Sequence, residues 1–222
     1  MPVNKNTYLQ IKAELDAGHV ELVAVSKTNP VSAILELYGL GQRDFGENYV
    51  GDMVEKAREL PGDIHWHFIG HLQTNKVKLI APFVQLIHGV DSLKLLAEIN
   101  KQGEKNKRVI DCLLQVHIAQ EETKFGLDKT ELDWVNNQLK NLKMLNIRVC
   151  GLMGMASLTN DRDKVRKEFR DLHSIFEKFK TQDPEFKILS MGMSSDYKIA
   201  MEEGSTMVRI GSLLFGERTP AA

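Results

Sequence analysis

The sequence predicts an α/β fold: a single (β/α)8 barrel of the TIM type, with residues 1–222 forming one domain. Three observations lead there. Eight short apolar runs recur along the chain, each except the last is followed by a segment with helical spacing, and 222 residues fall within the roughly 200–250 that such barrels occupy as one unit. Strands alternating with helices pair in parallel through right-handed crossovers, and eight repeats are the number that closes. An open doubly wound sheet is the competing arrangement. It would place a glycine-rich fingerprint after the first strand, where the sequence has Ser26-Lys27-Thr28-Asn29.

A helical segment near Thr7 to Ala17 leads into strand one, Val20 to Ser26, a valine-rich run of the kind that suits a pleated surface. The remaining strands are expected at Asp44 to Glu47, His65 to Gly70, Phe83 to Val90, Val109 to Ile118, Val149 to Met155, Lys187 to Met191 and Met207 to Phe215. Between them, apolar residues recurring every three or four positions predict helices at Pro30 to Tyr38, Tyr49 to Leu60, Leu72 to Ile80, Ser92 to Asn106, Thr130 to Leu145, Asp161 to Lys180 and Tyr197 to Glu203. No linker, repeat or charge block divides the chain.

Composition narrows the function classes. Hydrophobic residues make up 42% and charged residues 27%, and no apolar run of about 18 residues could span a bilayer, so a soluble protein is expected. Met1 to Asp16 carries neither an apolar export core nor an arginine-rich amphipathic pattern, which makes the cytoplasm the expected compartment. Twenty-nine basic against thirty acidic residues give a net charge of −1, which offers no footprint for nucleic acid or an anionic membrane. Cys112 and Cys150 sit in apolar stretches and are expected as buried free thiols. Without an evident apolar stripe on the surface, a monomer is expected.

In a barrel the reactive groups collect where strands end, so the polar residues closing each apolar run are the candidates. Val23, Val25 and Lys27 alternate onto one face, which aims the Lys27 amine at the mouth. Burial lowers a lysine's pKa, and neutral amine is what Schiff-base formation with an aldehyde requires. A surface lysine at a strand–loop junction would have the same sequence context. After strand seven, Gly192-Met193-Ser194-Ser195 precedes a short helical segment, and after strand eight stands Gly211-Ser212. Barrels frequently hold phosphate with these two loops, although a helix cap and an ordinary turn read the same way. Arg209 lies among Met207, Val208 and Ile210, where a guanidinium needs a buried carboxylate or a ligand ring nitrogen opposite it. A lysine, a phosphate cradle and an arginine converging on one mouth describe a pocket for pyridoxal 5′-phosphate (PLP).

Two other clusters compete. His65, His67 and His71 raise a metal site, but the nearby carboxylates form no recognisable ligand set and cysteine is absent there, so no metal is expected. Glu121-Glu122-Thr123-Lys124 and Asp161 to Asp163 read as loop and helix-cap chemistry.

Taken together, Ala24 to Thr28, Phe45-Gly46-Glu47-Asn48-Tyr49, Trp66 to Lys76, Gly151 to Ala156, Leu189 to Ser194 and Val208 to Gly211 resemble the PLP homeostasis protein family, YggS/PROSC-like, nearly end to end. The resemblance implies a barrel like the alanine racemase N-terminal domain, with PLP held as an aldimine on Lys27. It implies phosphate contacts around Ser194, Ser195, Gly211 and Ser212, a pyridine-nitrogen contact from Arg209, and Asn48 near the cofactor. It further implies a role in intracellular PLP balance, by storage, buffering or delivery, possible recipients being apo forms of PLP-dependent enzymes.

A weak or specialised amino-acid racemase is the alternative. An arginine does not readily give up its proton, so a ring nitrogen facing Arg209 makes a poorer electron sink than one paired with a carboxylate. Alanine racemase draws a second acid/base tyrosine from an additional β domain, and this sequence ends six residues after Gly216. Of Tyr8, Tyr38, Tyr49 and Tyr197, only Tyr49, beside Asn48, is a candidate for that part. A protein without robust catalysis of its own is therefore expected.

Overall fold

Alternation decides which side chains enter the barrel. In β1, Glu21–Val25, Leu22 and Ala24 pack outward against helices while Val23 joins an inner cluster with Leu86, Leu113, Cys150, Met153 and Met207. The computed structural model describes residues 3–120 and 125–216. The other strands are β2 Asp44–Glu47, β3 His65–Phe68, β4 Leu86–Val90, β5 Ile110–Val116, β6 Ile147–Gly154, β7 Ile188–Ser190 and β8 Met207–Ile210. All neighbours pair in parallel in chain order, and β8 closes on β1 with Leu22 opposite Val208 and Val23 opposite Arg209. The predicted closed barrel is the architecture observed, and the open sheet is not.

The helices run outside: α1 Lys5–Ala17, α2 Val31–Gly39, α3 Val50–Glu59, α4 Val77–Ile80, α5 Leu93–Lys105, α6 Lys129–Asn141, α7 Arg162–Lys180, α8 Tyr197–Glu202 and α9 Ser212–Phe215. Their apolar faces and the outward residues of the strands form the larger core, from Leu15 and Ile34 to Phe169 and Phe176. Asp161 caps α7 by accepting from the backbone of Asp163 and Lys164, as its position suggests. The predicted loop at Glu121 to Lys124 lies outside the described residues.

Several boundaries differ from expectation, three of them for a physical reason that is plain in the structure. The last strand was predicted to reach Phe215 and to lack a following helix. It stops at Ile210, and Gly211 begins the single turn of α9, whose Leu214 carbonyl accepts from the Asn4 N–H at 2.8 Å and ties the two ends of the chain together. The helix expected from Leu72 starts late because Gln73 is extended; a 3-10 turn, Thr74–Lys76, precedes α4. Strand four begins at Leu86, since Phe83 and Val84 still donate to the Ile80 carbonyl. One irregularity is sterically required. A Cβ on Gly151 would stand 1.8 Å from the Ile188 carbonyl oxygen, and the β5–β6 register shifts at that point.

Candidate functional site

The strand ends at the C-terminal mouth carry most of the predicted residues. Lys27 follows β1 by two positions and is half-buried. Its backbone is fixed on both sides: the Asn29 N–H and side chain donate to the Ser26 and Lys27 carbonyls at 3.0 and 3.2 Å, and Thr28 adopts φ 65°, an uncommon conformation for a β-branched residue. Behind this segment, outside the barrel wall, the Ser26 hydroxyl donates to Glu47 Oε1 at 2.6 Å. Lys56 of α3 donates to the same oxygen at 2.6 Å and to the Ser26 carbonyl at 2.9 Å. Burial still holds the Glu47 carboxyl above its ordinary range, against the pull of the Lys56 ammonium and the Ser26 hydroxyl.

Asn48 follows β2, and its buried Oδ1 has no hydrogen-bond partner. Its backbone is packed so closely on Gly70 that a Cβ there would lie 2.3 Å from the Asn48 carbonyl oxygen. The Gly46-Glu47-Asn48 and Phe68-Ile69-Gly70 segments therefore build one wall. Tyr49 is exposed beside it, whereas the hydroxyls of Tyr8, Tyr38 and Tyr197 engage Gln42, Asp63 and Glu14. The Tyr197 phenol is pushed up to about 12, mainly by burial.

The loops after β7 and β8 meet. The Gly211 N–H donates to Ser194 Oγ at 3.3 Å, Asp196 Oδ1 accepts from the Met193 N–H at 2.6 Å, and Ser195 and Ser212 are exposed on the same two loops. Arg209, 4% exposed, donates to two neutral acceptors: Ser190 Oγ at 2.6 Å and the Gly154 carbonyl at 3.1 Å. Burial lowers its pKa to about 10, so the guanidinium remains charged near neutral pH.

The histidines take up different partners. His65 and His67 share Asp44 Oδ1, at 3.1 and 3.0 Å, while His71 pairs with Asp91 at 3.3 Å and stacks on Phe125. Among the described residues, no group of three or more His, Cys, Asp or Glu is arranged to hold a metal ion. His88 had not been singled out. It is fully buried between His67 and Ser190, and its alternation with Leu86, which faces the interior, was the available signal.

The profile of the alanine racemase N-terminal domain matches residues 5–219. The pyridoxal phosphate homeostasis protein of Pasteurella multocida is 40% identical over 214 residues, covering 93% of this chain and 90% of its own. Among solved structures, PipY of Synechococcus elongatus with PLP bound is 33% identical, with a TM-score of 0.86 over 95% of this chain and 99% of that one. Alanine racemase of Bartonella henselae, 16% identical with a TM-score of 0.73, covers 99% of this chain with 62% of its own and shares the fold. The strand-end motifs, the closed barrel and these similarities agree: the chain belongs to the pyridoxal phosphate homeostasis protein family.

Proposed function

We propose that this protein binds PLP at the C-terminal mouth of its barrel and stores, buffers or delivers it in the cytoplasm as a monomer, without robust catalysis of its own. Lys27 is the point of covalent attachment. Ser194, Ser195, Gly211 and Ser212 receive the phosphate, Arg209 faces the pyridine nitrogen, and Asn48 lies beside the ring. PLP supplies a reactive aldehyde, a dianionic phosphate and a weakly basic ring nitrogen.

The observation that carries this reading is the convergence of three unlike groups on one mouth. A half-buried lysine follows β1, a buried arginine on β8 donates to the neutral Ser190 hydroxyl and Gly154 carbonyl, and two serine- and glycine-bearing loops are joined by the Gly211–Ser194 hydrogen bond. The buried, unpartnered Asn48 Oδ1 fits the same group, because such an acceptor in a site is commonly satisfied by a ligand donor. The structure of PipY with PLP bound, 33% identical to this chain, supports the ligand.

Within this chain, the Glu47–Lys56–Ser26 cluster holds the Lys27 backbone rigid, and the mouth loops limit loss of the aldehyde to water. Lys27 would hold the aldehyde by a bond that another amine can replace, which would suit delivery to an apo-enzyme. The ultraviolet-visible spectrum before and after borohydride, with mass spectrometry of the Lys27 peptide, tests the reading. The expected result is a band lost on reduction and a phosphopyridoxyl adduct on Lys27, both absent in a folded Lys27→Ala variant. A colourless protein that PLP cannot reconstitute would overturn it.

A further inference from the structure

Polar side chains turned into a barrel interior have to find their partners there. Five of them do so as one chain across the lumen: Asp44 of β2, His67 of β3, His88 of β4, Ser190 of β7 and Arg209 of β8. His67 Nε2 lies 3.0 Å from Asp44 Oδ1, His67 Nδ1 lies 3.0 Å from His88 Nε2, His88 Nδ1 lies 3.1 Å from Ser190 Oγ, and Arg209 Nη1 donates to that oxygen at 2.6 Å. His67, His88, Ser190 and Arg209 are all buried, and Asp44 is part-exposed at the opposite end of the barrel from Lys27.

We propose that His67 and His88 are positioning residues for Arg209: a one-directional hydrogen-bond chain anchored on Asp44 fixes, through Ser190, how the guanidinium presents itself at the mouth. For its ligand-dependent part this rests on the PLP reading above.

The direction follows from the two ends. A guanidinium only donates, so Ser190 Oγ accepts from Arg209 and has one proton left to give. A carboxylate only accepts, so neutral His67 carries its proton on Nε2 and leaves Nδ1 as an acceptor. His88 must then donate from Nε2 and accept at Nδ1, which takes the Ser190 proton. Each of the four contacts then has one donor and one acceptor. Adding a proton to His67 Nδ1 would reverse the inner half and strand the Ser190 proton. The ionisable groups facing the chain are Glu21 of β1, Asp44 of β2, His65 of β3, Arg209 of β8 and, acting on Arg209, Asp196 after β7. Burial holds His88 well below its ordinary range, with the Arg209 charge acting in the same direction, so His88 is neutral beside a neutral His67.

Aligned hydrogen bonds polarise one another, so a change at Arg209 is felt at His67. Long-range proton–nitrogen correlation spectra of protein labelled with 15N-histidine test this, the signals being assigned by their loss in His67→Gln and His88→Gln. Without ligand near neutral pH, both rings are expected to carry the proton on Nε2. Addition of PLP is expected to shift both rings. In Ser190→Ala the His67 response should vanish, with PLP affinity weakened about tenfold. A proton on Nδ1 of either ring in the unliganded protein, or a His67 response unchanged in Ser190→Ala, would sink the proposal. Failure of the unaltered protein to bind PLP would instead sink the functional reading, and the unliganded tautomers would still decide the chain.

Discussion

Lys56 Nζ stands 2.6 Å from Glu47 Oε1 and also donates to the carbonyl of Ser26, the residue before Lys27. The Glu47 side chain is completely buried and its second oxygen has no partner, so Lys56 is the main reason a carboxylate is tolerated there. Lys56→Met is expected to lower stability by about 3–5 kcal/mol at neutral pH, the usual effect of removing one partner of a buried pair.

The same substitution sets a pH dependence. The folded-state pKa of Glu47 is raised, so its contribution to stability is fully present below the ordinary carboxylate pKa and is lost as pH rises through the folded value. Without Lys56 that value rises further. Urea unfolding at about pH 5 and about pH 8 should show the larger Lys56→Met deficit at the higher pH. Equal deficits would mean that Glu47 is not the charge being held.

Gly70→Ala tests the wall behind the mouth. The added methyl would fall 2.3 Å from the Asn48 carbonyl oxygen, so backbone has to move, at a cost of about 1–3 kcal/mol. Because the backbone displaced belongs to Asn48, PLP binding should weaken along with stability. Gly62→Ala meets nothing within 4 Å and serves as the control, expected within about 0.5 kcal/mol of the original. Spectroscopic PLP titration and thermal unfolding measure both effects.

The two cysteines should be chemically silent in the folded protein. Burial raises both thiols, Cys112 far above its ordinary value and Cys150 to about 11, with the Asp111 charge adding to each. Roughly a thousandth of Cys150 is then thiolate near pH 8. A disulfide-exchange reagent should find no reactive thiol before unfolding and two after it. Prompt reaction of the native protein near pH 8 would show that the base of the barrel, where Cys150 helps to line a cavity of about 380 Å³, opens to solvent.

Alternation of apolar runs and helical spacing made the barrel legible, and strand-end logic singled out Lys27, Arg209, Ser194 and Gly211 as candidates because chemistry in this fold collects at one rim. The same logic hid His88. It sits inside an apolar strand rather than at its end, and its partners Ser190 and His67 come from β7 and β3. A contact 102 residues apart in sequence leaves no local pattern. Helix ends were misread for a similar reason: Leu213, Leu214 and Phe215 look like a strand until Gly211 turns the chain and α9 packs on α1.

Arg209 also carries the expectation about catalysis. Its pKa of about 10 leaves it protonated across the physiological range, and its bonds to Ser190 and Gly154 bring no carboxylate to exchange a proton with. A ring nitrogen bound against such a donor stays unprotonated and withdraws electrons weakly from an attached amino acid. Removal of a Cα proton would also need a second base, and three of the four tyrosine hydroxyls are engaged with Gln42, Asp63 and Glu14. Protein loaded with PLP should therefore exchange no α-proton of the common amino acids in deuterated water, followed by proton NMR over hours. Should exchange occur, Tyr49 is the residue to replace first, because it is exposed beside Asn48. Exchange abolished in Tyr49→Phe would turn the carrier into a slow catalyst with an acid/base pair at the mouth.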